Sequence, residues 1–138
     1  MKEKTKYIVF CLSNCIFSLL TGALIYVFAG GNTYINKIIT VPSIPKNDTI
    51  FGELVRCYLA DALWAYALTF SLSIFINRFC AGVIAFSFGL IWEIYQKYSI
   101  MSGTFDIVDI IMYLAASMLA VLIIHLNKRR NRLWKNHF

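Results

Sequence analysis

Residues Tyr98–Ala120 read YSIMSGTFDIVDIIMYLAASMLA. From Ile110 onward this stretch is made for lipid, yet it opens with two aspartates, Asp106 and Asp109, one helical turn apart. A carboxylate at the end of a membrane helix is tolerated, whereas one carried into the hydrocarbon costs about 2.5–3.5 kcal/mol on insertion scales. A helix that bears this cost points to a use for the acid.

The composition of the rest agrees. Of 138 residues, 59% are hydrophobic, 16% aromatic and only 14% charged, with a mean hydropathy of +0.67. That leaves too little polar surface to cover a soluble globule, so the chain reads as an integral membrane protein. The net charge of +6 does not indicate nucleic-acid binding, because the basic residues gather at the chain ends instead of alternating with aromatics on one face. The tail NKRRNRLWKNHF, residues 127–138, reads as a basic cytoplasmic anchor against the anionic headgroups of the bilayer, with Trp134 at headgroup depth.

A hydrocarbon core of about 30 Å needs roughly 20 helical residues. Four apolar stretches qualify, at about 7–29, 54–76, 79–96 and 107–126, and they predict an all-α fold: a compact four-helix transmembrane bundle forming a single domain. Only Asn77 and Arg78 separate the second and third, which predicts a tight antiparallel hairpin. The long first connection holds both prolines, Pro42 and Pro45, and reads as a surface loop with a short interfacial piece around Tyr34–Ile39. The first stretch is read as an uncleaved helix, because its apolar core of about 23 residues exceeds the 7–15 of a signal peptide.

Lys and Arg set the orientation. With both termini in the cytoplasm, Lys2, Lys4, Lys6, Arg78, Lys128, Arg129, Arg130, Arg132 and Lys135 lie inside, against Lys37, Lys46, Arg56 and Lys97 outside. Apart from Glu3, every acid then falls in an outer loop or the outer half of a helix. Asp61 is expected about two turns, roughly 10 Å, below the outer end of the second helix. Glu93 lies a turn from the outer end of the third, with Gln96 beyond it. Asp109 lies a turn inside the fourth.

Side chains four apart share a helix face, and each helix carries a small or polar line at that spacing. These lines are Asn14, Ser18, Gly22; Cys57, Asp61, Ala65, Thr69, Ser73; Ala81, Ala85, Gly89, Glu93; and Asp109, Tyr113, Ser117, with Ala116 and Ala120 alongside. Small residues let helices approach closely in lipid, so these faces are predicted to point inward. Asp61, Glu93 and Asp109 are the candidate binding acids. Three such acids repel one another unless a cation, shared protons or Arg56 balances them. Arg56, about 140° around the helix from Asp61, would have to reach a neighbouring helix to do so. Asp106 reads first as a helix cap and Gln96 first as a packing residue, and Arg56, Gln96 and Tyr113 join the three acids as candidate binding residues.

Other chemistries are poorly represented. Cys11, Cys15, Cys57 and Cys80 lack CxxC spacing and read as packing residues with no disulfide. His125 and His137 lie far from the acids, and no phosphate loop or Ser/His/Asp set is visible. Asn47-Asp48-Thr49 matches a glycosylation sequon, a pattern short enough to arise by chance. No cofactor is expected beyond a bound cation.

The polar segment RCYLADALWAYAL, the GLIWEIYQ that closes the third helix, and GTFDIVDIIMYLAASMLA together resemble the VanZ-like family of small bacterial membrane proteins. The resemblance covers roughly residues 54–122, and the E-x-x-Q followed by D-x-x-D is its most specific part. Around Tyr113 and Ala116 this chain departs from an Asn and a Gly common in the family's last helix. Membership implies a multi-pass protein of the bacterial cell membrane linked to the handling of envelope glycopeptides or lipid-linked sugars, best known as low-level teicoplanin resistance. Two other readings stay open. One is a small secondary transporter for a cation or metal-anion complex, which with only four helices would need a homo-oligomer. The other is an envelope enzyme using the acids as a metal cradle or acid–base pair, against which stands the lack of a basic substrate-binding motif.

Overall fold

A computed structural model describes residues 2–29, 58–98 and 105–135, with side chains over 4–27, 58–98 and 105–129. The first loop with its prolines, interfacial piece and sequon lies outside the described residues, as do Arg56, Cys57 and the side chain of Trp134. Within them the chain is all-helical: α1 Lys2–Ala29, α2 Leu59–Leu72, α3 Arg78–Lys97 and α4 Ile107–Lys135. Three of these helices, over Lys4–Val27, Arg78–Lys97 and Ile107–Arg129, are long and apolar enough to cross a membrane. Large apolar side chains such as Phe17, Val83 and Met118 stand exposed along them, as they would on a surface facing acyl chains.

The helix bounds differ from the sequence expectation at three places. α1 begins at Lys2 and α4 continues through the basic segment to Lys135, since Lys and Arg are good helix formers once a helix is under way. α2 stops at Leu72, four residues early. Its last turn tightens into shorter-range bonds, from Ile74 N–H to the Ser71 carbonyl at 3.3 Å and from Phe75 N–H to that of Leu72 at 3.0 Å. Asn77 then restarts the chain: in extended conformation, its side-chain oxygen accepts from the Phe79 amide at 3.0 Å and caps α3.

α2 is the central helix, packed against α1, α3 and α4, and α3 also packs on α4. The buried positions of α3 are Ala81, Gly82, Ala85, Gly89 and Glu93, and α2 buries Ala65 and Thr69. Helices can pack this closely only where side chains are small. Between α1 and α2, Tyr66 donates to the Asn14 side-chain oxygen at 3.1 Å, and Tyr7 donates to the Ser73 carbonyl at 3.0 Å. An apolar cluster of Cys11, Phe70, Ala120 and Ile124 fills the space near that end, with Phe10 edge-on to Phe70 at 5.9 Å.

These contacts fix the helix directions. Tyr7 of α1 meets Ser73, just past the end of α2, and the Lys128 ammonium of α4 lies 5.1 Å from the centre of the Tyr7 ring. At the opposite end, Tyr58 before α2 bonds Asp106 before α4. The helices therefore run alternately up and down. One end carries Lys4, Lys6, Arg78, Lys128 and Arg129, and the other carries Asp61, Glu93, Asp106 and Asp109 together with Lys97.

Candidate carboxylate site

The acidic end is organised around Asp106. Its Oδ1 accepts from the Val108 amide at 2.8 Å, the geometry of a helix N-cap, so α4 begins as a capped helix. Its Oδ2 accepts from the Tyr58 hydroxyl at 2.7 Å, and its own backbone N–H donates to Glu93 Oε2 at 3.1 Å. One residue thus joins the entries of α2 and α4 to the far end of α3. Both bonds to its carboxylate favour the anion, that from the Val108 amide most, and hold the Asp106 carboxyl below its ordinary value.

A carboxyl lowered on folding adds stability above its unfolded value of about 3.9 and loses it as pH falls through the folded value. The cap should therefore be intact from neutrality down to about pH 4 and open only in stronger acid. A titration of the Asp106 carboxyl by NMR checks this, and a midpoint above 4 would contradict it.

Glu93 is only 1% exposed. It sits on the inward line of α3 four residues before the helix ends at Lys97. Asp109 occupies the first turn of α4, and its Oδ1 is enclosed without a hydrogen-bond partner. Asp61 lies in the first turn of the described part of α2 with its side chain exposed; the residues before Tyr58, from which its depth along the helix was reckoned, lie outside the described residues. A helix N-terminus favours a negative charge in its first turn. The three acids are close enough for their charges to act on one another. Burying like charges together is costly unless something shares or offsets them.

Tyr113 lies one turn further along α4 than Asp109. It is 4% exposed, with its hydroxyl in reach of Glu93 and its ring close against Gly89. A Cβ on Gly89 would stand 2.5 Å from Tyr113 Cδ2 and 2.6 Å from Cγ, so glycine is what makes room for the ring. Gln96 is half-buried on α3, three residues past Glu93 and on its face. Among the described residues no three acids, histidines or cysteines stand close enough to hold a metal ion.

The structure brings together Asp61, Glu93, Asp109 and Tyr113. Asp106 serves as the cap, and Arg56 lies outside the described residues. Sequence reasoning missed Tyr58, whose partner is 48 residues away, and the amide bond from Asp106 to Glu93. Neither leaves a local pattern. Comparison of the chain with protein-family models, with curated proteins and with solved structures gives no match. What the fold and the site define is a class: an all-helical protein with three membrane-length apolar helices and a cluster of carboxylates at one end.

Proposed function

We propose that the chain is a four-span, multi-pass protein of a bacterial cell membrane, with both termini cytoplasmic and the carboxylate pocket facing outward. In this reading Asp61, Glu93 and Asp109, with Tyr113, bind a small molecule or lipid-linked sugar in cell-envelope chemistry of the VanZ-like kind. The observation that supports it most is the pairing of a wholly buried Glu93 with an enclosed, unpartnered Asp109 oxygen. Buried charge in a membrane protein is expensive and marks a ligand or proton path, and a sugar or peptide supplies the donors that free carboxylate oxygens accept. The split of basic and acidic ends supports the orientation.

Two measurements test it. Reporter fusions at the C-terminal tail and within residues 34–48 should report opposite sides of the membrane, the tail cytoplasmic; an external tail defeats the outward pocket. Expression in a susceptible bacterium should lower its glycopeptide susceptibility. The closeness of the three acids also favours a second reading, a small secondary transporter for a cation or metal-anion complex. Proteoliposomes that accumulate cation with no change in glycopeptide susceptibility would decide for that one.

A further inference from the structure

At the basic end, α3 and α4 part to leave a cleft of about 470 Å³, within the roughly 300–1,000 Å³ usual for small-molecule sites. Its floor is small, at Gly82 and Ser117, and its walls include Phe79, Phe86 and Met118, with His125 at one end. A Cβ on Gly82 would stand 2.7 Å from Val121 Cγ2, so the glycine sets how closely the two helices meet beneath the cleft. The α4 side runs from Leu114 to His125, about 16 Å at 1.5 Å per residue. That is about half of a 30 Å hydrocarbon core, the reach of one leaflet. The cleft therefore extends for about one leaflet's depth along α4, on its basic-end side.

Two arginines adjoin lining residues at its basic end, though neither lines the cleft itself. The Arg78 guanidinium lies 4.8 Å above the ring of Phe79, which lines the cleft, and its Nε is enclosed with no hydrogen-bond acceptor. Arg129 is exposed, one turn past His125 on the same face of α4. The carboxylates of α2, α3 and α4 are all at the other end of the molecule. An apolar trough one leaflet long, with two cations beside its basic end, complements one kind of molecule: an amphiphile with an acyl chain and an anionic head.

We propose that this cleft is a specific seat for an anionic phospholipid of the basic-side leaflet. One acyl chain lies over Gly82 and Ser117, and the phosphate lies between Arg78 and Arg129. The site is separate from the carboxylate pocket and does not depend on what that pocket binds. Lipid held here would brace α3 against α4, where the two carry Glu93 and Asp109 further along.

The test is native mass spectrometry of the full chain from mixed micelles of equimolar phosphatidylglycerol and phosphatidylcholine. The parent protein should retain one phosphatidylglycerol in preference to phosphatidylcholine. Each basic contact is worth about fivefold, so R78Q with R129Q should reduce the preference by about twenty-fivefold or abolish it. Met118→Trp, which fills the cleft from its exposed rim, should remove the retained lipid without changing helix content. Neutralising Arg132 and Lys135 in the tail should leave retention unchanged. Equal retention of the two lipids by the parent, an unaltered preference in the arginine variant, loss of preference in the tail variant, or a dimer that holds no lipid would each overturn the proposal.

Discussion

Glu93→Gln and Asp109→Asn should accumulate in membranes as well as the parent protein and yet lose its effect on glycopeptide susceptibility completely. Glutamine keeps an oxygen that can accept the Asp106 amide, which Glu93 now does at 3.1 Å, so the link between α3 and α4 survives. Each change also removes a charge whose insertion cost is at most a few kcal/mol. What disappears is the negative charge at the pocket, and only a ligand or proton that uses that charge should notice. Asp61→Asn belongs to the same group, with the smallest folding effect because its side chain is exposed. Asp106→Asn is the control: an asparagine oxygen caps α4 as an aspartate does, and its activity should stay near that of the parent. Immunoblots of membrane fractions beside susceptibility measurements make the comparison. Full activity in all three pocket variants would show the acids to be packing elements, as would failure of all three to accumulate.

The second large effect is steric. Gly89→Ala should lower thermal stability in detergent by about 1–3 kcal/mol, the usual cost of forcing extra atoms into a filled interior, and Gly89→Leu should prevent accumulation. The new methyl would stand 2.5 Å from the Tyr113 ring at the root of the side chain. No swing of a flexible tip relieves that clash, so the ring or the helix must move. The ring carries the hydroxyl that faces Glu93, so activity should fall along with stability. Replacing Tyr113 by leucine in the Gly89→Ala background should recover stability and leave activity lost. A double variant no more stable than Gly89→Ala alone would show that the strain lies elsewhere.

The inward faces were legible because membrane helices leave a simple record. Ala81, Ala85, Gly89 and Glu93 recur every fourth residue, and all four are buried. The capping role of Asp106 was legible for the same local reason, since a cap acts two residues away. Long-range partnerships were not. Tyr58 to Asp106 and Tyr7 to Ser73 span 48 and 66 residues, and nothing in either local sequence names its partner. The early end of α2 was also hidden: Ser73, Ile74, Phe75 and Ile76 are as apolar as the helix before them. What stops the helix is a tightening of backbone bonds and the cap that Asn77 gives to the next one. Hydropathy measures neither.

Glu93 lies four residues, about 6 Å, below the end of α3, and that shallow position bears on the electrical behaviour of the protein. In the proposed orientation, a proton or cation reaching it from outside crosses only about a fifth of a 30 Å core. Moving one charge through the whole field is worth about 2.3 kcal/mol per 100 mV, so this step would feel about 0.5 kcal/mol. Loading of the pocket should therefore follow external pH and ion concentration closely, and respond only slightly when the membrane is depolarised.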